Sequence, residues 1–166
     1  YRLQGRSQLL SPRAKPLLFE NRQGNPSSAF ERVTQDHPLI RFVTERLRQA
    51  GYRMAVVTNK PHPFVAPLLQ EAGLMPLFDQ LLGGDLLPQR KPDPAPLLHV
   101  CQSQGVAPRR ALMVGDSKND VLAAKAAGMP VIGLTYGYNH GEPIAVSKPD
   151  WVMDHFCQLG DLLLAN

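Results

Sequence analysis

The sequence predicts an open α/β domain, a parallel sheet with helices on both faces, and three observations carry that prediction. Short apolar runs of strand length alternate with segments of helical spacing from residue 37 to the C-terminus. Glycine and proline cluster between those runs, so the punctuation matches the alternation. One apolar run, Ala111 to Val114, passes through Gly115 directly into Asp116, which sets a carboxylate at a strand's end. In such sheets the right-handed crossovers bring every strand's carboxyl end to one edge, where ligands bind.

Composition bounds the answer. The chain has 166 residues, 43% hydrophobic and 19% charged, which suits one globular domain with a sizeable core. No apolar run approaches the length of a membrane span, and Tyr1 to Arg6 lack the apolar centre of a secretory signal. A cytoplasmic protein with no membrane partner is expected. The first residue is Tyr1 and not Met, so a missing upstream portion is a further expectation. Cys101 and Cys157 stand singly in segments that read as helices; both are expected to be reduced and to pack in the core. The net charge of +4 is spread along the chain, only Arg90-Lys91 and Arg109-Arg110 being adjacent. No aromatic residues interleave with these charges as a base-stacking platform requires, so nucleic acid is not an expected partner.

Residues 1–35 are predicted as an irregular N-terminal segment, distinct from a core over 36–166. Pro12, Gly24 and Pro26 interrupt its short apolar runs, and Pro16 to Glu20 is its single candidate strand. From His37 the spacing of Leu39, Ile40, Val43 and Leu47 predicts a helix that Gly51 ends. Tyr52 to Thr58 follows as a buried strand, Asn59 to Pro63 as its turn, and Phe64 to Ala72 as a helix closed by Gly73. Phe78 to Leu82 reads as a strand ended by Gly83-Gly84, and Arg90 to Pro94 as a rigid loop feeding a helix over Ala95 to Ser103. After the strand Ala111 to Val114 come a helix from Val121 to Ala127 and a strand from Pro130 to Thr135. Tyr136 to Gly141 then forms a glycine-rich loop. Trp151 to Met153 is the last short strand and Phe156 to Leu164 the closing helix.

Three motifs meet on the carboxyl edge of this arrangement. Asp116 and Asp120 lie four residues apart with Ser117 and Asn119 between them. One Asp before a helix is by default an N-cap, but several hard oxygens together suit Mg²⁺. Thr58-Asn59 and Lys91 fall on the same edge. Taken singly, Thr58 merely ends a strand and Lys91 is a solvated loop lysine. Taken together, a hydroxyl beside a backbone amide, an ammonium and a carboxylate-bound Mg²⁺ are the groups that hold a phosphoryl oxygen and neutralise charge developing in its transfer.

Val57-Thr58-Asn59-Lys60, Lys91-Pro92-Asp93-Pro94 and Val114-Gly-Asp-Ser-Lys-Asn-Asp120 resemble, in order, the second, third and fourth motifs of the haloacid dehalogenase-like phosphohydrolases. Gly133-Leu-Thr-Tyr-Gly-Tyr-Asn139 with Pro149-Asp150 is similar to the phosphoglycolate phosphatase branch. The resemblance runs from about His37 to the C-terminus. It implies a Rossmann-like three-layer parallel sheet, a small phosphorylated metabolite as partner, and Mg²⁺ as cofactor. Thr58 and the Asn59 amide are then expected to bind the substrate phosphate, with Lys91 steadying nucleophile and phosphate. Asp116 is expected to ligate Mg²⁺, and Asp120 and Asn119 to serve as outer-shell or secondary ligands.

One part of the family pattern is absent. Its members attack phosphorus with the first Asp of an Asp-x-Asp-Gly-Thr motif at the end of the first strand, yet no Asp precedes Asp36 in this chain. The helical cap expected before His37 is likewise missing or vestigial. The nearest surrogate is Leu17-Leu-Phe-Glu-Asn-Arg-Gln-Gly24, with Glu20 at the nucleophile's place and Arg22 at the acid's. Glu is one methylene longer, an offset of roughly 1.5 Å where about 1 Å already costs on the order of 100-fold. Arg22 stays charged and cannot donate a proton as a general acid. A missing or scrambled N-terminal portion is the other explanation of the gap. In the family's sheet the first strand lies centrally, so Pro16 to Glu20 is the segment expected to fill that place. Two functions stand at this point: a Mg²⁺-dependent phosphomonoester hydrolase lacking its nucleophile motif, or a non-catalytic phosphate-binding or interaction module.

Overall fold

The computed structural model describes residues 16–19, 37–137 and 139–164. β1 (Pro16–Phe19) is followed by α1 (His37–Gln49) and β2 (Arg53–Val57). A 3₁₀ turn, His62–Phe64, leads into α2 (Val65–Glu71), then β3 (Gln80–Leu82) and α3 (Ala95–Ser103). β4 (Leu112–Gly115), α4 (Lys118–Ala126), β5 (Val131–Leu134), β6 (Trp151–Met153) and α5 (Gln158–Leu164) complete the order.

All pairings are parallel, in the order β3-β2-β1-β4-β5-β6. The order reverses between β1 and β4, and a crevice for ligands opens at such a switch point. β1 occupies the central place expected of it: Phe19 is in register with Val56 on one side and Val114 on the other. Its first residue is Pro16, where a strand tolerates a missing N–H. The line drawn at residue 35 therefore leaves one strand of the sheet inside the N-terminal segment.

The two faces follow from the period of two along each strand. Ala55, Val57 and Met113 pack with Leu97, Val100 and Cys101 of α3 and Val121 and Ala124 of α4. Met54, Leu112, Val114 and Ile132 point the other way, against Val43 and Leu47 of α1 and Phe156 and Leu159 near α5. Val56 packs on the same side with Val65 and Leu69 of α2. Near-continuous apolar strands are what a sheet covered on both faces requires.

Two expectations change. α4 begins at Lys118, three residues ahead of the apolar run at Val121, because Ser117 caps it and Asp120 reciprocates from the third helical position. Cys157 is exposed just before α5, whereas Cys101 is buried; the later start of that helix takes Cys157 out of the phase that pointed it inward. Burial pushes the Cys101 thiol up to about 11, so it stays protonated and inert.

Candidate active site

The site is assembled by the turns that leave β2 and β4. Beyond Val57 the β2 chain reaches Thr58, which is buried and still paired to the sheet through its N–H to Leu82 O at 3.0 Å. The Thr58 hydroxyl accepts from Lys60 N at 3.1 Å, which closes a tight turn and holds the side chain at the strand's end. Asn59 donates from its side chain to the Lys91 carbonyl at 2.7 Å, so two of the predicted motifs are bolted together. Gly84 lets the chain pass beneath this turn, since a Cβ there would meet Asn59 O at 2.3 Å.

Lys91 is not a solvated loop lysine. Its side chain is 0% exposed, its ammonium donates to the Val57 carbonyl, and it lies 3.0 Å from Asp120 Oδ1. The approach to Asp120 is an ion contact without hydrogen-bond alignment, because Oδ1 makes no such bond among the described residues. Asp120 is equally buried, and its other oxygen accepts from Ser117 N and Ser117 Oγ, each at 3.0 Å. A buried charge pair is retained only where partners offset its desolvation, and these carboxylate bonds supply that offset. Gly115 is required for this packing: a Cβ would land 2.4 Å from Asp120 Cβ.

Asp116 has a different place. Ser117 is the N-cap of α4, so Asp116 stands one residue outside the helix and the bland capping role belongs to its neighbour. Asp116 is half-buried, with its carboxylate Oδ1 buried, and it borders a cavity of about 350 Å³ that Thr135, Gly137, Asn139 and Glu142 also line. Gly137, at φ +127°, presses its backbone on that carboxylate: a Cβ would fall 2.0 Å from Asp116 Oδ2. Asn119 is half-buried in the first turn of α4.

Of the seven predicted site residues, Thr58, Asn59, Lys91, Asp116, Asn119 and Asp120 fall at or just beyond the carboxyl ends of β2 and β4, or in the loop leading to α3. Glu20, and Arg22 with it, lie outside the described residues. Among the described residues no cluster of three His, Cys, Asp or Glu side chains stands ready to enclose a metal. Mg²⁺ does not need one. It is usually held by one or two carboxylates, with waters and substrate phosphate filling the remaining positions. One half-buried aspartate on a roomy cavity, its carboxylate wedged against a residue that tolerates no Cβ, fits that ion.

Sequence reasoning missed four contributors. The Val57 carbonyl and Ser117 act through contacts that residue type does not announce, although Ser117-Lys-Asn-Asp120 has the spacing of a capping box. Gly84 and Asn139 lie in stretches read only as chain-turning glycines and loop. Their partners are distant in sequence, and Asn139 Oδ1 accepts from Lys118 N at 2.9 Å.

Strand order and a carboxyl edge carrying acid, hydroxyl and ammonium define an α/β protein of the Rossmann type. The family profile of haloacid dehalogenase-like hydrolases matches residues 14–128, and the chain belongs to that family. A phosphoglycolate phosphatase of Pasteurella multocida is 54% identical over 127 residues, covering 76% of this chain and 57% of that protein. The chain thus spans just over half the length of that relative. Among solved structures, a predicted phosphoglycolate phosphatase from Haemophilus somnus superposes with a TM-score of 0.74 at 42% identity, over 81% of this chain and 63% of that one. CbbY from Rhodobacter sphaeroides, in complex with phosphate, gives 0.66 at 27% identity, over 84% of this chain and 70% of the other.

Proposed function

We propose that this chain is the phosphate- and metal-binding part of a Mg²⁺-dependent phosphomonoester hydrolase of the phosphoglycolate phosphatase type. The observation that carries the reading is Lys91, a fully buried ammonium held at the end of β2 by a carbonyl and a carboxylate. Burying a lysine is costly, and a packed core gains nothing from it that an apolar residue would not supply better. A cation kept at a ligand-binding edge has a use for an anion.

In this reading the Thr58 hydroxyl and the Asn59 backbone amide donate to the phosphate oxygens, and Lys91 offsets their charge. Asp116 and substrate oxygens would hold Mg²⁺, which when bound neutralises charge developing on the phosphoryl group. Asp120 acts through Lys91, and Asn119 contributes at most an outer contact. Phosphate bound in the related CbbY, and the names of the relatives, support a small phosphomonoester as substrate.

Within these residues the nucleophile is the missing piece. Without a placed Asp no phospho-enzyme forms by the family's route, and positioning alone leaves a slow reaction. The 166-residue chain is expected to hydrolyse p-nitrophenyl phosphate or phosphoglycolate barely above background with Mg²⁺ present. Brisk Mg²⁺-dependent turnover that Glu20→Gln abolishes would make Glu20 a relocated nucleophile. Brisk Mg²⁺-dependent turnover that survives Glu20→Gln would mean that attack comes from another carboxylate or from water activated directly by the metal.

A further inference from the structure

The loop between β5 and β6 walls the cavity beside Asp116 but supplies no group to the scheme above, and it holds a buried amide whose two ends are both committed. Asn139 is 9% exposed. Its Oδ1 accepts from Lys118 N at 2.9 Å and its Nδ2 donates to Glu142 O at 2.8 Å. The partners fix the amide's orientation, because a backbone N–H needs the oxygen and a carbonyl needs the nitrogen. The main chain of the same residue closes the turn from the other side, Glu142 N donating to Asn139 O at 2.9 Å.

Lys118 is the first residue of α4, and its N–H is one of those that the helix itself cannot satisfy. The local cap is already formed by Ser117 and Asp120, so Asn139 adds a second clamp from a loop 21 residues away in sequence. Both of this loop's holds lie within two residues of Asp116. Asn139 fixes the backbone just after it, and Gly137 lies so close to its carboxylate that an added Cβ would sit 2.5 Å from Asp116 Cβ and 2.6 Å from Cγ.

We infer that Asn139 is a positioning residue for Asp116: it locks the β5–β6 loop to the start of α4 and thereby fixes the carboxylate that receives the divalent cation. The inference rests on the reading of Asp116 as the metal ligand. Partners that orient a ligating carboxylate typically govern metal affinity by about 10- to 100-fold. Thr58 and Asn59 belong to another loop, and Lys91 meets α4 only at Asp120, which Ser117 holds by its own two bonds, so the hold on an anion does not run through Asn139.

The test measures Mn²⁺ binding to the whole chain by electron paramagnetic resonance, and tungstate binding without metal by calorimetry, for wild type, Asn139→Ala, Gly137→Ala and Asp116→Asn. The expected result is loss of Mn²⁺ affinity by about tenfold or more in Asn139→Ala and Gly137→Ala, with tungstate affinity and far-ultraviolet circular dichroism unchanged. Mn²⁺ bound by wild type, lost in Asp116→Asn and retained at wild-type affinity in Asn139→Ala would overturn the inference and leave the metal assignment standing. Mn²⁺ bound equally by wild type and Asp116→Asn, or by neither, would overturn the metal assignment and the inference with it. Equal losses of both ligands, or loss of the fold in both loop variants, would assign Asn139 to stability alone and also overturn the inference.

Discussion

Lys91 and Asp120 show how much one pair of side chains carries. Both are 0% exposed, and removing either charge strands the other in the interior. Breaking such a pair typically costs about 3–5 kcal/mol, while removing both members costs much less than the sum. Lys91→Met and Asp120→Asn are each expected to lose stability in that range in urea unfolding. The double variant should recover more than about 1 kcal/mol of the summed loss, because the amide introduced at position 120 keeps an oxygen for the Ser117 N–H. Additive losses would show that the two charges do not depend on one another. Residue types and spacing in the sequence brought out Lys91, Thr58 and Asp116. What they could not convey is that Lys91 is buried on Asp120, since that contact arises only when the loop leading to α3 meets the first turn of α4.

At the scale of elements, Asp79 ties three of them together just before β3. Its Oδ1 takes Arg48 Nη1 of α1 at 2.5 Å and its Oδ2 takes Met54 N of β2 at 2.9 Å. Burial raises the Asp79 carboxyl, but the bonds from Arg48 and Met54 outweigh it and the net shift is downward. A carboxylate lowered on folding contributes stability above its ordinary value of 3.8 and loses it as the pH falls through the lower native value. With the Arg48 side chain 41% exposed, solvent screening holds the ion pair to roughly 0.2–1 kcal/mol. Asp79→Asn should therefore be less stable than wild type by up to about 1 kcal/mol at pH 7, and the gap should close below about pH 4. A gap that widened in acid would contradict this account. Most elements were legible because glycines mark their ends: Gly51 and Gly73 adopt φ of +86° and +63° where helices were expected to stop. Two boundaries shifted for nameable reasons. The apolar run at Val121 hid the polar first turn of α4, and α5 starts too late to carry Cys157 inward.

For the whole molecule, sheet order matters most, since it places the ends of β1 and β4 side by side at the reversal point. The family resemblance implied a central first strand, apolarity picked Pro16 to Glu20 to fill it, and Pro16–Phe19 takes that position. The sequence was silent on the β5–β6 loop as a wall of the site, because a glycine-rich stretch does not reveal what it will press against. The central claim is that one phosphoryl group is held by Thr58, the Asn59 amide and Lys91 beside a cation on Asp116. A crystal of this chain grown with Mg²⁺ and tungstate tests it most directly. The account predicts tungstate oxygens within hydrogen-bond distance of Thr58 Oγ1 and Lys91 Nζ, with Mg²⁺ on an Asp116 oxygen. Tungstate bound elsewhere, or Mg²⁺ that avoids Asp116, would contradict it.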